Sequence, residues 1–333
     1  MIWSPPAPAS EASESACNSH TATLTSGRVL AENALWNLLG LCSPALVAVF
    51  CLPVLKHHLG NDRLGILALA WAVVGSFGLF DFGLSRALTK LVAEKLGNGA
   101  SSEIPSLVWT SLIMMGGIAA AGTVVTFALS PWLIRSVMKV PPGLRGESLH
   151  AFYWLSISIP IVVLTAGLRG VLEALQKFRL ATAIRIPLGV FTYLGPLLVL
   201  PFSQSLVPIV VALVLARAVG CGAHFWACCR ALPDLRRSWH FDRSSAGPLF
   251  RFGTWMSVSN IVGPIMVTFD RFVIGAMISV TAVAYYAVPS EIIIKLLTFP
   301  AALIGVMFPA FSTAHSGQRS RVPFLFESSV KLI

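Results

Sequence analysis

The sequence predicts an all-α protein, a polytopic bundle of transmembrane helices. Of its 333 residues, 56% are apolar and only 11% are charged, and the mean hydropathy is +0.78. A soluble domain carries roughly a quarter charged residues, so these few charges cannot cover a water-facing surface. The apolar residues also fall into blocks of about twenty, the length that spans a bilayer at about 1.5 Å per residue. Because the backbone must satisfy its own hydrogen bonds in lipid, the blocks are predicted to be helices.

The hydropathy pattern predicts eight spans and four regions. The spans lie at about 33–55, 64–84, 106–130, 150–172, 186–201, 206–229, 253–278 and 283–310. The regions are a disordered cytoplasmic tail (1–27), a six-helix N-lobe (28–230), a basic cytoplasmic linker (231–251) and a partial C-lobe with two transmembrane helices and the start of a third (252–333). The fifth span is short and rich in proline, so its ends are the least certain.

An internal match predicts that the two lobes are related. Shifting the chain by 220 residues lays the first two spans over the last two, with Pro44 on Pro264 and Gly65 on Tyr285. Six spans separate the copies, so both copies run in the same direction. This predicts a two-lobed, inverted-V transporter fold with an axis along the membrane normal. The N-lobe is complete and the C-lobe stops after two to three helices, so we expect a fragment of a longer transporter or a truncated lobe.

The basic residues predict the orientation in the membrane. The formal net charge is +10, but the Lys and Arg residues lie between apolar blocks, which indicates topology and argues against nucleic-acid binding. With the N-terminus inside, the inner segments hold fifteen Lys and Arg residues and the outer loops hold five. We therefore predict a multi-pass protein of the cytoplasmic (inner) membrane with a cytoplasmic N-terminus.

Five ionisable residues are predicted to lie near mid-bilayer, where a charge costs about 3 kcal/mol on insertion scales. They are Arg217, Asp270, Arg271, Glu291 and Lys295. The last four flank the turn of a helical hairpin, so Arg271 could pair with Glu291, or Asp270 with Lys295. One interpretation is a set of ion pairs that locks the last two spans together. The other is substrate binding or coupling, because one cation is left over and guanidinium groups suit phosphates.

Two further charges near the cytoplasmic end of the second span are candidates for gating. Asp81 lies in a turn beside Gly83, which could act as a hinge. Arg86 follows on the cytoplasmic side, where topology and helix capping explain it better than gating does. Arg169, near the cytoplasmic end of the fourth span, is explained in the same way.

Four stretches carry a family resemblance. They are Leu59–Gly65 (LGNDRLG) between the first two spans, Phe80–Leu88 (FDFGLSRAL) at the end of the second, Asp270-Arg271 followed by Ala284–Pro289 (AYYAVP), and Phe308–Ser312 (FPAFS). In this order and spacing they resemble the polysaccharide transporter family. Its members are lipid-linked oligosaccharide flippases of the multidrug/oligosaccharidyl-lipid/polysaccharide superfamily. The resemblance covers about residues 28–333, and the chain ends before the twelve or more spans that members usually have.

The resemblance implies a flippase that moves an undecaprenyl-diphosphate-linked oligosaccharide across the membrane by alternating access. Such a protein serves O-antigen (lipopolysaccharide), capsule or exopolysaccharide biosynthesis. Its partners would be the lipid-linked oligosaccharide and the phospholipid bilayer, and an H⁺ or Na⁺ gradient acting on Asp270 or Glu291 is one candidate energy source. The alternative is a cation-coupled multidrug exporter of the same superfamily, but such a cavity should be rich in acidic residues and the excess here is basic.

The sequence does not favour an enzyme, a metal site or a cofactor. It contains no Asp-x-Asp cluster and no serine nucleophile elbow. His57 and Asp62 have the spacing of some acyltransferase sites, but they occupy a short predicted outer loop, where one such pair arises easily by chance. The six cysteines show no ligand spacing with histidine and no disulfide framework.

Overall fold

The computed structural model describes residues 27–236, 242–243, 246–251, 253 and 269–294. Every long element in this part of the chain is a helix. The helices are α1 (Gly27–Ser76), α2 (Leu84–Gly97), α3 (Ile104–Trp132), α4 (Arg145–Ala174), α5 (Phe178–Val199), α6 (Leu206–Ala231), α7 (269–277) and α8 (Val280–Ile294). Short 3₁₀ helices lie at Phe77–Asp81, Ser101–Glu103, Pro142–Leu144 and Pro233–Arg236, and a short π-helix lies at Leu133–Val137.

The lengths and apolar composition of these helices make the chain a multi-pass membrane protein. Within the described residues, five helical segments are long and apolar enough to cross a bilayer, and α8 is a shorter apolar helix. Even α5, with 22 residues, is about 33 Å long, which exceeds the thickness of the hydrocarbon layer. The predicted all-α transmembrane bundle is therefore confirmed.

Helix α1 is two helices joined at Gly60. Gly60 has φ 72° and ψ 171°, a conformation that glycine adopts without strain and that interrupts the helical path. Leu52 on one side of this point and Leu64 and Ala68 on the other line the same small cavity. In one straight helix, residues 52 and 68 would lie about 24 Å apart. The chain therefore doubles back at Gly60, so residues 27–59 and 61–76 form the hairpin that the sequence predicts.

The end of the second span differs from the prediction. The hydropathy pattern predicts an end at about residue 84, but the helix ends at Ser76, and Phe82 and Gly83 have positive φ angles of 47° and 71°. A new helix, α2, then begins in a stretch where the sequence predicts an inner segment without a span. Its buried residues recur at helical spacing (Leu84, Ala87, Leu88, Val92), which is the amphipathic pattern of a helix packed on one face.

Helices α1 to α6 pack as one lobe with α4 at its centre. Helix α4 packs against α2, α3 and α6, and α5 packs against α1 and α6. Two glycines of this lobe allow close helix contact: a Cβ at Gly189 of α5 would collide with the Pro44 ring of α1, and a Cβ at Gly220 of α6 would collide with Leu188. The predicted fifth span is corrected here, because α5 begins at Phe178 rather than near residue 186.

The described part of the C-lobe touches the N-lobe near its predicted outer end. Lys139 N donates to Gly275 O over 3.2 Å, and Asn61 Nδ2 donates to Tyr285 Oη over 2.9 Å. The Thr281 hydroxyl donates to the Asp62 carboxylate. The remaining residues of the two predicted C-lobe spans, the tail 1–26 and most of the linker lie outside the described residues, so the four-region division stays a prediction.

Candidate functional site

A cavity of ≈ 320 Å³ lies where the two lobes meet. Its wall combines residues from the second half of α1, from α5 and α6, and from α7 and α8. The lining residues are Trp71, Ala72, Val74, Gly75, Thr192, Tyr193, Arg217, Arg271, Glu291 and Ile294. Three of the five mid-bilayer charges that the sequence singled out therefore meet in one cavity.

Arg271 and Glu291 form a largely buried ion pair in this cavity. The Nη2 atom of Arg271 lies 3.0 Å from Oε2 of Glu291, and the two side chains are 8% and 18% exposed. The hydroxyl of Tyr193 donates to Oε1 of the same carboxylate over 2.9 Å. Of the two pairings that the sequence left open, the one between Arg271 and Glu291 is present. Arg271 and Tyr193 thus neutralise and orient the carboxylate from both of its oxygens.

The turn between α7 and α8 explains why these two residues meet. The chain reverses at Ile278 and Ser279. Arg271 precedes this turn by about eight residues and Glu291 follows it by about twelve, an offset of about 6 Å along the helix axes. A long arginine side chain can span such an offset, so a carboxylate and a guanidinium on neighbouring antiparallel helices reach each other.

Arg217 reaches the cavity from α6 and is not neutralised in the same way. The residue is half-buried, and its Nη1 atom is buried without a hydrogen-bond partner among the described residues. Within that part of the chain it also forms no ion pair. A buried guanidinium nitrogen that donates no hydrogen bond costs free energy that a ligand oxygen can recover. Because the Arg271–Glu291 pair is neutral, Arg217 gives the described wall of the cavity a net positive charge.

Asp270 and Lys295 are not brought together in the described part of the chain. The Asp270 carboxylate accepts a hydrogen bond from the Tyr286 hydroxyl, and its Oδ1 accepts one from the backbone N–H of Arg271 over 2.7 Å. Asp270 does not line the cavity. Lys295 lies outside the described residues, so its predicted role stays a prediction.

Asp81 holds the break between the end of α1 and the start of α2. Its Oδ1 accepts from the backbone N–H of Gly83 over 2.6 Å, and its Oδ2 accepts from the Ser85 hydroxyl over 2.5 Å. The carboxylate therefore stabilises the first turn of α2, where unpaired N–H groups favour negative charge. Arg86 is exposed on α2. Both residues lie away from the cavity, so a part in gating remains a prediction.

Two aromatic residues of the cavity, Tyr193 and Trp71, were not indicated by the sequence. Tyr193 is 7% exposed and its ring meets that of Trp71 edge to face, with centroids 5.4 Å apart. Tyr193 is one of four tyrosines in the chain and lies in an apolar span. A tyrosine hydroxyl in an apolar span needs a hydrogen-bond partner when it is buried. This requirement was the sign in the sequence that Tyr193 has a specific role. Its partner, however, lies 98 residues away, and only the fold shows this.

The fold is that of known multidrug transporters. Over 93% of this chain and 70% of the other, the structure matches the MATE multidrug transporter DinF-BH with a TM-score of 0.68 at 13% identity. A second match is to an inward-facing multidrug resistance MATE family transporter of the MOP superfamily, with a TM-score of 0.64 at 15% identity over 92% of this chain and 70% of the other. A MOP superfamily transporter from Pyrococcus furiosus matches with a TM-score of 0.61, at 14% identity, over 92% and 71%.

The sequence places the chain more narrowly within this fold. Residues 30–315 match the family described as "Polysaccharide biosynthesis protein", and the chain belongs to that family. It is also 30% identical over 285 residues to a Shigella flexneri protein named "Putative O-antigen transporter". That alignment covers 84% of this chain and 66% of the relative, so the chain spans about two thirds of the relative's length. The resemblance inferred from the four short stretches is confirmed.

Proposed function

We propose that the protein is a flippase that moves a polyprenyl-diphosphate-linked oligosaccharide, with an undecaprenyl tail, across the cytoplasmic membrane by alternating access. Membership of the polysaccharide biosynthesis family and the likeness to the Shigella flexneri protein support the class of cargo. The fold of MOP superfamily transporters supports the mode of action. Surface polysaccharide biosynthesis, such as that of O-antigen, is the process in which this cargo would be used.

The observation that carries the proposal is the positive charge that Arg217 contributes to the cavity between the lobes. The cavity, at ≈ 320 Å³, is at the lower end of the range for ligand pockets. It therefore suits the charged diphosphate part of the cargo, while the lipid tail stays in the bilayer. Arg217 would supply hydrogen bonds and charge to a phosphate oxygen, for which a guanidinium has the matching geometry.

The Arg271–Glu291 pair gives the cavity a means of responding to the cargo. A diphosphate that approaches Arg271 competes with Glu291 for the same guanidinium, so cargo binding would loosen the contact between α7 and α8. Released from Arg271, Glu291 could accept a proton or a Na⁺ ion. Glu291 is therefore our candidate for the coupling acid, ahead of Asp270, which lies away from the cavity.

The alternative of a multidrug exporter is less well supported by the same charges. An exporter of organic cations needs a carboxylate that the drug can reach. The carboxylate of Glu291 is held by Arg271 at 3.0 Å and by Tyr193 at 2.9 Å, so a cationic drug would have to displace an arginine. A cargo phosphate instead gains a contact with Arg217 without displacing any described partner.

The distribution of basic residues supports an inner-membrane location with the N-terminus in the cytoplasm. In this orientation the turn between α7 and α8 faces the outer side, and the start of α5 and the end of α6 face the cytoplasm. The interlobe contacts of Asp62, Lys139 and Tyr285 would then close the outer side of the cavity. The structure would accordingly correspond to a state that loads cargo from the cytoplasmic leaflet.

The proposal is tested by deleting the gene in a polysaccharide-producing host. We expect lipid-linked repeat units to accumulate in the cytoplasmic leaflet, and the wild-type gene to restore surface polysaccharide. Arg217→Ala should restore it poorly, whereas Arg230→Ala, which removes an exposed cation from the same helix, should restore it fully. If the Arg217→Ala variant, expressed at wild-type levels, supported normal surface polysaccharide, Arg217 would not be part of the binding site. No accumulation after deletion would refute the flippase.

A further inference from the structure

Three buried N–H groups around the interlobe cavity have no hydrogen-bond acceptor among the described residues. They are Nε1 of Trp71, Nη1 of Arg217 and Nε of Arg271. All three residues line the cavity of ≈ 320 Å³. Because buried polar atoms are rarely left unpaired, three such donors around one cavity indicate that a hydrogen-bond acceptor binds there.

The other polar side chains in the described wall of this cavity are already hydrogen-bonded. Thr192 donates its hydroxyl to the carbonyl oxygen of Leu188 over 2.9 Å. Tyr193 donates to one carboxylate oxygen of Glu291, and the other oxygen lies 3.0 Å from Nη2 of Arg271. Both oxygens of the only carboxylate in this described wall are therefore engaged, whereas three donors are spare. Indole and guanidinium nitrogens can only donate, so the wall selects a ligand that accepts.

The neighbours of Trp71 hold its ring beside the ion pair. The ring meets that of Tyr193 edge to face, with centroids 5.4 Å apart and planes at 61°. Trp71 also lines the small cavity beside the α1 hairpin, together with Arg271 and Glu291. That cavity, of ≈ 10 Å³, holds no more than about one water molecule. A ligand of several atoms can therefore meet the three donors only from the larger, interlobe cavity.

The burial of the three nitrogens favours a ligand that pairs with them. Arg271 is 6% exposed, and the unpaired nitrogens of Trp71 and Arg217 are buried as well. A buried donor gives up its hydrogen bonds to water, and leaving it unpaired costs free energy. A rotation of the three side chains toward a ligand oxygen in the cavity recovers this free energy.

We propose that Trp71 is a cargo-binding residue, whose indole N–H donates to an anionic oxygen of the diphosphate beside Arg217 and Arg271. This inference rests on the proposed flippase function and adds an uncharged donor to its site. A phosphate oxygen accepts several hydrogen bonds at once, so it fits donors that come from three helices. A sugar hydroxyl would instead bring a donor of its own to a wall whose described carboxylate is engaged. Anionic phospholipids offer the same phosphate chemistry, and the experiment separates the two sources.

The three donors come from both lobes. Trp71 in the second half of α1 and Arg217 on α6 belong to the N-lobe, and Arg271 on α7 belongs to the C-lobe. A diphosphate that binds all three therefore bridges the lobes. When the lobes separate on the outer side, Arg271 moves away from the other two residues and the diphosphate loses a donor. The affinity for cargo is then lower after opening than before it, which favours release into the outer leaflet.

The test removes only the N–H group of Trp71. Trp71→benzothienylalanine puts a sulfur atom in place of the indole N–H and keeps the shape of the ring. Trp132→benzothienylalanine is the matched control, because Trp132 is 60% exposed at the end of α3 and does not line the cavity. Dissociation constants are measured for the purified full chain in phosphatidylcholine nanodiscs, with undecaprenyl diphosphate as the probe. Uncharged undecaprenol reports on the tail, and phosphatidylglycerol reports on bilayer phospholipid.

We expect Trp71→benzothienylalanine to weaken undecaprenyl diphosphate binding by about ten- to a hundredfold, the effect of losing a hydrogen bond to a charged acceptor. Undecaprenol binding should not change, and Trp132→benzothienylalanine should bind both probes as the wild type does. An unchanged affinity for undecaprenyl diphosphate, or an equal loss of affinity for undecaprenol, would overturn the proposal.

Thermal unfolding of the ligand-free protein separates a binding role from a structural one. The unfolding temperature of Trp71→benzothienylalanine should equal or exceed that of the wild type, because the variant lacks an unpaired buried donor. A lower unfolding temperature would show that the N–H group stabilises the protein itself, and the proposal would fail.

Two further outcomes distinguish this contact from the proposed function. If the Trp71 variant loses phosphatidylglycerol binding but keeps undecaprenyl diphosphate binding, the N–H group serves bilayer phospholipid and the proposal fails. If gene deletion causes no accumulation of lipid-linked repeat units, the flippase function fails. The contact between Trp71 and a polyprenyl diphosphate would still stand, provided that the affinity depends on the indole N–H.

Discussion

At the scale of single residues, the contact between Arg271 and Glu291 neutralises two buried charges and makes the loss of either residue costly for stability. Each residue alone would be a buried charge in an apolar lobe, which is strongly unfavourable. Together they are neutral, and Tyr193 satisfies the remaining carboxylate oxygen. Breaking a buried pair costs more than replacing it, because the remaining partner is left uncompensated.

We therefore predict that Glu291→Gln lowers the free energy of unfolding by about 3 kcal/mol, the usual cost of leaving one member of a buried pair without its partner. The double variant Arg271→Gln/Glu291→Gln should recover a large part of the loss. Thermal unfolding of the purified protein in a double-mutant cycle measures this coupling. The exposed pair of Lys90 and Glu94, 3.5 Å apart, is the control and should show less than about 1 kcal/mol of coupling. Equal coupling in the two pairs would contradict the argument.

At the scale of helices, the N-lobe depends on close contacts where glycine faces another side chain. Gly189 of α5 lies against the ring of Pro44 in α1, and this contact helps to hold α5 in register with α1. The proline ring cannot rotate away as a flexible side chain would. The register of α5 in turn determines the level of Arg185 and Tyr193, which lie about one turn on either side of Gly189. Packing at one glycine thus supports the interlobe cavity and the position of Arg185.

Gly189→Ala is expected to destabilise the protein by about 1–3 kcal/mol, because the added methyl group overpacks the contact with Pro44. Gly117→Ala on α3 is the matched control. A Cβ there meets no other atom within 4 Å, so the change should be neutral or stabilise by about 0.5–1 kcal/mol. Thermal unfolding of both variants in the same detergent gives the comparison. A stable Gly189→Ala variant would show that the two helices have room to separate.

At the scale of the whole molecule, the contacts of Asp62, Lys139 and Asn61 with α7 and α8 join the lobes on the predicted outer side. A Cβ at Gly65 would collide with the carbonyl oxygen of Val280, so the second half of α1 and the start of α8 touch through their backbones. In alternating access such contacts must break for the cargo to leave. Val280, Val283 and Ala284 are also buried in the same apolar cluster as residues of the N-lobe, so opening must separate apolar contacts as well as polar ones.

A disulfide across this interface should stop transport reversibly. Asp62→Cys and Thr281→Cys replace two hydrogen-bonded side chains, one from each lobe. With the native cysteines replaced by alanine, oxidation of the double variant should form the cross-link and block translocation of lipid-linked repeat units, and reduction should restore it. Each single variant serves as a control and should be insensitive to oxidant. Continued translocation by fully cross-linked protein would show that this side does not open.

Local patterns were sufficient to predict much of the fold. Blocks of apolar residues predicted the bundle, and the break between the first two blocks predicted the hairpin that the chain forms at Gly60. The spacing around the α7–α8 turn indicated the pairing of Arg271 with Glu291 as one of two possibilities, since both residues belong to one hairpin. The start of α5 was misplaced because Arg185 and Arg179 resemble a cytoplasmic loop, although long basic side chains can lie along a helix inside a lobe. Helix α2 was missed because its charges outweigh its apolar stripe in a hydropathy pattern.

The sequence by itself determined that this chain crosses a bilayer as α-helices, and it also determined which family the chain resembles. Both follow from the sequence because hydrophobicity and short motifs are local properties. The tertiary structure alone decided that Tyr193 meets Glu291, that Arg217 shares a cavity with Arg271, and that Arg169 and Arg185 line a second cavity between α4 and α5. These partners lie on helices separated by tens of residues. Their meeting depends on how helices pack at glycines: an added methyl group at Gly40 would collide with the Arg185 guanidinium, and one at Gly189 would collide with the Pro44 ring.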